Sequence, residues 1–384
     1  MKFENSDYNK IWESQEGREI FSVIVNDPSF LKPNYTFWSE KFRIDPVLTP
    51  SNEKGEATFT SKMRELVAAD MMDMRAPLGD TRVADKGGVV YYNGRIPDFA
   101  PAGYVEKATE RWYKQQNFDQ FGDAALIAQY TTSEVQRMLD SANMTLSYLA
   151  AKALSTGETI YDMGEGIHSA IYKSYIPEEN FVNAGEKAWS DPTAPILDYM
   201  RAIETEFKDK WGLEMPMQWE MTEEMFDGYF LNNNQVKEWV RTWNAMNNVI
   251  LPEGLLLTDE LVNNAYAKHP YKLSPIVLVN EKQKDVNKGV VNGWKKGIAV
   301  LRPAGYAGYV RRAAILDEPI FKAYGNNINS YNFTPAMGGL GVWMNSVVVN
   351  GNFKEWHTDL FVKAIPTLDE FLYHVIVDTT QANA

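Results

Sequence analysis

The sequence predicts an α+β chain, and three stretches predict it. Residues 121–157 hold one long helical pattern, the chain before it is β-leaning and broken by glycine and proline, and buried-type strands return after residue 275. In the helical stretch the apolar residues are Val135, Met138, Leu139, Ala142, Leu146, Leu149, Ala150, Ala153 and Leu154. This i, i+3, i+4, i+7 spacing falls on one face at 3.6 residues per turn. The other face carries Glu134, Gln136, Arg137, Asp140, Asn143 and Lys152. Thr131 with Glu134 has the spacing of a capping box, and Gly157 stands where a left-handed C-terminal cap is expected. Residues 121–130 are helix-compatible, so the helix is free to start earlier. From 133 to 154 alone it spans roughly 33 Å at 1.5 Å per residue. It is expected to be a beam buried along one side.

Residues 1–58 read as an extended arm. A short apolar strand is expected at 19–25, after which Pro28, Pro33, Pro46 and Pro50 interrupt every run. The pieces 35–38 and 42–44 are short and β-leaning. Residues 61–74 suggest a modest helix or turn, ended by Ala76-Pro77-Leu78-Gly79. From 80 to 104 the chain makes a two-stranded excursion, with turn chemistry at Asp85-Lys86-Gly87-Gly88 and a β-favouring run Val89-Val90-Tyr91-Tyr92. An isolated hairpin is marginal in water, so this one must rest on another surface.

Beyond the long helix, 158–161 and 169–175 read as strands. A second amphipathic helix is expected over 196–211, with Ile196, Tyr199, Met200, Ile203 and Phe207 on one face and Gly212 as its cap. A strand at 215–219, a helix from Thr222 to Phe230 with Glu223 and Glu224 at its N-terminal dipole, and a short helix at 236–246 follow. Strands at 275–280 and 297–301 flank a polar loop, 281–294. Strand-like runs at 340–349, 361–364 and 373–377 close the pattern.

With 384 residues, two or more domains or lobes are the prior. Hydrophobic residues make up 45% and charged residues 23%, an ordinary globular balance. The net charge of −13 argues against tight coating of nucleic acid. The absence of cysteine removes disulfides and thiol chemistry and fits a reducing compartment. Met1-Lys2-Phe3-Glu4 has no basic region leading into an apolar run, so no signal peptide is expected, and no stretch is long enough to span a membrane. The sequons at Asn34, Asn143 and Asn332 are read as chance.

No enzyme class is supported. Gly305-Tyr306-Ala307-Gly308 lacks the Lys-Ser/Thr ending of a phosphate loop and reads as a turn. Glu165 and His168 have the spacing of a helical di-metal site, but Gly164 and Gly166 make a helix improbable there. His357, Asp359, His374 and Asp378 lack a third clustered ligand and read as surface polar residues. Asp70 with Asp73, and Glu223 with Glu224, are explained by helix ends. A basic block between 281 and 312 stands out in an acidic chain, and suggests complementarity with an acidic surface on another copy or with nucleic acid.

Taken in order, these stretches resemble the tailed-bacteriophage major capsid proteins of the Hong Kong 97 fold, nearest the lambda-type branch (phage major capsid protein E). Leu146-Ser147-Tyr148-Leu149-Ala150-Ala151-Lys152-Ala153-Leu154-Ser155-Thr156-Gly157 resembles that family's spine helix and its exit into the first strands. The run from Ala69 to Gly79 resembles the lead-in to its extended loop, 196–230 the opening of its axial domain, and Val300-Leu301-Arg302-Pro303-Ala304-Gly305 a strand and turn late in that domain.

The resemblance implies an N-terminal arm (1–58), an extended β-hairpin loop region (59–112), a peripheral domain with the spine helix (113–190), an axial domain (191–340) and C-terminal strands of the peripheral domain (341–384). It implies hexamers and pentamers closing into an icosahedral shell around double-stranded DNA, with no cofactor. Portal, scaffolding and decoration proteins are the expected partners. No large scaffolding-like region precedes the arm, so a scaffold would be a separate protein. The lysine, asparagine and carboxylate that crosslink some relatives are not placed. Candidate contacts between copies are Arg75, Arg82, Lys86, Tyr91, Tyr92 and Arg95 of the loop, with Lys282, Lys284, Arg302, Arg311 and Arg312 of the basic block. The alternatives are an encapsulin-type compartment, which has the same fold, and an α+β enzyme.

Overall fold

In the computed structural model, Trp38 lies against the long helix and donates from its indole Nε1 to Asn143 Oδ1 at 2.9 Å. The structure describes residues 36–48, 57–64, 89–96, 98–99, 102–106, 123–162, 168–173, 176–211, 215–247, 258–285, 289–313, 331–333, 340–349, 352–369 and 371–382. Helix α1 (Phe37–Lys41) runs straight into β1 (Phe42–Leu48). Strands β2 (Ala57–Arg64), β3 (Val89–Ile96), β4 (Asp98–Phe99) and β5 (Ala102–Glu106) precede α2 (Asp123–Thr156). Strands β6 (Glu158–Asp162), β7 (His168–Lys173) and β8 (Phe181–Asn183) lead to α3 (Ile196–Trp211). After β9 (Met217–Thr222) come a short helical stretch, 223–230, and helices α4 (Asn234–Met246) and α5 (Asp259–Tyr266). The remaining strands are β10 (Ile276–Val279), β11 (Gln283–Asp285), β12 (Gly289–Val291), β13 (Ile298–Pro303), β14 (Gly308–Ala313), β15 (Tyr331–Phe333), β16 (Leu340–Val349), β17 (Asn352–Leu368) and β18 (Val375–Asp378).

Helix α2 keeps the expected stripe. Leu139, Ala142, Leu146, Leu149, Ala150, Ala153 and Leu154 are all buried. It is not buried along one side only, however. Asn143, Ser147, Ala151 and Ser155 are equally enclosed, so its C-terminal half is covered almost all round. Asn143, expected on the solvent face, instead takes the Trp38 indole and donates to Leu139 O. Ser147, Ala150, Ala151 and Ala153 are small, and small side chains let neighbouring backbone close in. Gly293 shows how tightly: a β-carbon built there would stand 2.5 Å from Tyr148 O. The helix begins at Asp123, so Thr131 and Glu134 lie inside it rather than capping it. Gly157 has φ 71° and donates to Ala153 O, the expected C-terminal cap.

Two sheets pack on this helix and its neighbours. One has the order β1-β14-β17-β16-β15, with β4 and β5 also pairing along β17. Its strands run antiparallel except for β1, which lies parallel to β14 at the edge. The second has the order β10-β9-β13-β18-β8, antiparallel in the middle and parallel at both edges. Its β9 and β13 are continuous buried runs centred on Trp219 and Leu301. Both sheets draw strands from either side of the boundaries expected near 190 and 340: β18 joins the second sheet and β14 the first. Such pairings are long-range, and no local pattern marks them.

Three ribbons complete the described structure: β2–β3, β6–β7 and β11–β12. The β2–β3 register runs from Ala57 opposite Ile96 to Arg64 opposite Val89. The hairpin's first strand is therefore 57–64, upstream of the expected 80–104 and in place of the helix expected from 61; residues 65–74 and the turn at 85–88 lie outside the described residues, as does the strand expected at 19–25. The polar loop 281–294 contains the β11–β12 ribbon. Residues 37 and 38, part of the piece 35–38 read as β-leaning, instead open a helical turn over 37–41 that turns Phe37, Trp38 and Lys41 inward.

Gly308 marks the tightest strand contact. A β-carbon there would stand 2.0 Å from Thr367 O and 2.8 Å from Asp369 N. The obstacle is backbone, so Gly308→Ala is expected to cost about 3 kcal/mol, the upper end of ordinary overpacking. Urea denaturation of the unassembled subunit would measure it.

Candidate contacts and a buried charge cluster

The residues expected at contacts between copies fall into three groups. Tyr91, Tyr92 and Arg95 lie on β3 opposite Lys62, Ser61 and Thr58, and Lys284 lies on β11 opposite Val290. Lys282 is exposed just before β11. Arg75, Arg82 and Lys86 lie outside the described residues.

The arginines are engaged within the chain. Arg311 donates to Asp45 at 2.6 Å and to both carboxylate oxygens of Asp369 at 2.9 and 3.1 Å, and sits over the Tyr309 and Phe59 rings. Arg312 Nε donates to the Asp45 carbonyl at 2.8 Å. Together they tie β1 to the first sheet. Arg302 is 1% exposed, so its side chain is enclosed within the subunit and does not reach a neighbour's surface.

Arg302 belongs to a cluster that the sequence reading missed. Strands β9 and β13 are adjacent, and alternation puts Gln218, Glu220 and Arg302 on one side of them. Glu220 Oε1 accepts from Lys41 Nζ at 2.6 Å, Gln218 Nε2 at 2.7 Å and Arg302 Nη2 at 2.8 Å. Arg302 Nη1 donates to the carbonyls of Pro303 and Gly305, fixing the turn before β14. Gly305 has φ 99°, as expected of a turn. The 305–308 segment is thus a structural corner, and Ala307 N donates to Lys41 O across it. The available signal was a charged residue in each of two mainly apolar strands, Met217-Gln218-Trp219-Glu220-Met221 and Ile298-Ala299-Val300-Leu301-Arg302.

Burial alone would raise the Glu220 carboxyl, but the charges of Arg302 and Lys41, with their hydrogen bonds, outweigh it and hold the pKa at about 2. His374 is buried rather than at the surface, and its Nε2 donates to Leu154 O at 2.7 Å. Burial is the largest influence on it, Arg302 adds to the effect, and its pKa falls to about 4. Both groups bind more protons unfolded than folded, so both lose stability toward acid. Folding stability should fall from about pH 6.5 toward 4 as the unfolded histidine protonates, and again from about 4.5 toward 2 through Glu220. Denaturation at stepped pH checks this, and His374→Gln should flatten the upper branch.

The cluster is a closed knot of ion pairs that joins α1 to the second sheet. Among the described residues no three His, Asp or Glu side chains gather to hold a metal ion, and no helix is long and apolar enough to cross a membrane.

The sequence matches the family described as phage major capsid protein E over residues 58–320. The chain belongs to that family. No curated protein sequence matches it. Among solved structures, a protein assigned as a prophage capsid protein of Escherichia coli CFT073 is similar over 94% of this chain and 97% of its own, at 16% identity and a TM-score of 0.53. A phage-related protein from Bordetella bronchiseptica RB50 is similar over 94% and 96%, at 13% identity and a TM-score of 0.45. The capsid of cyanophage P-SCSP1u is similar over 90% and 88%, at 9% identity and 0.44. The fold is that of a phage capsid protein, the Hong Kong 97 type, and the expected α+β class holds. As a phage major capsid protein, the chain has a structural role.

Proposed function

We propose that this capsid protein assembles as hexamers and pentamers into an icosahedral shell that encloses double-stranded phage DNA, inside the host bacterial cytoplasm. The family match over residues 58–320 carries the reading. The β2–β3 ribbon is consistent with it: the ribbon packs on its own chain at Phe59, and further burial against a neighbour would stabilise it at roughly 25 cal/mol per Å². We assign 1–58 as arm, 59–112 as extended loop, 113–190 with 341–384 as peripheral domain and 191–340 as axial domain. Arg75, Arg82, Lys86, Tyr91, Tyr92 and Arg95 of the loop, with Lys282 and Lys284, are its candidate contacts. Portal and scaffolding proteins, and decoration proteins where present, are the expected partners. A subunit of net charge −13 would hold DNA loosely, which suits a genome that must leave.

Two experiments bear on this. Arg64 and Val89 face each other at the last pair of the ribbon, so residues 65–88 can be replaced by a two-residue turn. That variant is expected to fold with unchanged circular dichroism and to form no shells; shells of normal size would remove the loop from assembly. Nuclease treatment of particles from infected cells should leave protected double-stranded DNA. Protected protein cargo without DNA would favour the encapsulin-type reading instead.

A further inference from the structure

Helix α4 buries Val236 and Val240, and along its flank runs a row of half-buried rings. Trp243 stacks on Trp239 with centroids 6.4 Å apart, Trp239 meets His269 at 4.6 Å and His269 meets Tyr271 at 4.4 Å. The Arg201 guanidinium lies 4.4 Å over the Tyr271 ring. Hydrogen bonds fix the row: Trp239 Nε1 donates to Ala265 O at 2.6 Å, and the Tyr271 hydroxyl to Asp198 at 2.7 Å. Met246, seven residues beyond Trp239 and so on the same helix face, is 67% exposed. Tryptophan, tyrosine, methionine and arginine in a rigid surface array are the residue types enriched where proteins meet. The exposed charges around it are four basic, Arg201, Arg241, Lys268 and Lys272, against three acidic, Asp198, Glu238 and Glu260.

The row sits where the chain enters β10, one edge of the second sheet. The other edge is β8, about 19 Å away across four strand spacings. Helix α3 crosses between them. Its Arg201 stacks in the row, and its Lys210 reaches Glu179 beside β8 at 3.0 Å. At that far edge Phe181 is 48% exposed, and the surrounding charge is mainly acidic, Glu178, Glu179 and Glu186 against Lys187 and Lys210.

We propose that the aromatic row at the β10 edge of one copy receives the Phe181 edge of a second copy. The two patches are apolar at the centre and opposite in net charge at the rim, by one charge each among the exposed groups named, and such rims favour encounter in one register. They also lie on opposite edges of one sheet. A contact between two different patches is head-to-tail, and repeated with rotation it closes a ring. This rests on the shell reading above and specifies which surfaces build its rings.

Met246→Asp and Phe181→Asp test it, since both side chains are largely exposed and neither change should unfold the subunit. Circular dichroism and the melting temperature should match the unaltered protein. Each variant alone should need at least ten-fold more protein to form rings or shells, read by sedimentation velocity. Each variant keeps the patch the other has lost, so an equimolar mixture should form a one-to-one heterodimer, seen by native mass spectrometry, that does not grow. Undiminished assembly of either variant, or a mixture that gives no heterodimer, overturns the contact while leaving the shell reading intact. An unaltered chain that stays monomeric at all concentrations overturns both.

Discussion

Glu220→Ala should lower the stability of the unassembled subunit by about 3–5 kcal/mol, the range for removing one partner of a buried ion pair. The substitution leaves Lys41 and Arg302 enclosed without their shared anion, and strands the Gln218 amide as well. The cost arises from uncompensated charge rather than lost attraction. Replacing Lys41, Glu220 and Arg302 together by methionine, glutamine and methionine should therefore cost less than the single change. The triple variant should also release α1 from the second sheet, seen as faster amide exchange over residues 37–48. Urea denaturation of all three proteins measures the order. A single variant as stable as the parent would show that the cluster contributes nothing to the fold.

Leu146→Asp is expected to have the larger effect. Leu146 is 1% exposed and lies in the part of α2 that is enclosed almost all round. An aspartate there faces apolar packing and either stays ionised without a partner or takes up a proton at a large cost. A loss above about 4 kcal/mol is expected, a large share of the 5–15 kcal/mol that holds an ordinary domain. Expression in inclusion bodies, or loss of helical circular dichroism, is the readout. Leu146→Met, similar in volume, should cost under about 1.5 kcal/mol. A soluble, assembling Leu146→Asp protein would refute the packing described for α2.

Much of the fold was legible because local patterns carry it. The stripe from Leu139 to Leu154, the left-handed Gly157 and the face of α3 from Ile196 to Phe207 each follow from 3.6-residue periodicity or backbone conformation. Long-range pairing was not legible. Nothing within 57–64 announces that it lies opposite 89–96, and nothing within 375–378 announces its place beside β13. Asn143, Glu220, Arg302 and His374 were misplaced or overlooked for a related reason. Polar side chains read as solvent-facing until a partner distant in sequence is known: Trp38 for Asn143, Lys41 for Glu220, Leu154 for His374. The internal partners of the basic block were hidden for the same reason, since Arg302, Arg311 and Arg312 find acceptors far along the chain. The aromatic row on α4 went unnoticed because Tyr271 and His269 reach Trp239 only in the folded chain.

Electron microscopy of the purified chain, at rising protein concentration and in negative stain, tests the central claim most directly. The account predicts uniform closed shells, or rings of five and six subunits on the way to them. A chain that remains monomeric under every condition, and turns over small substrates, would contradict it.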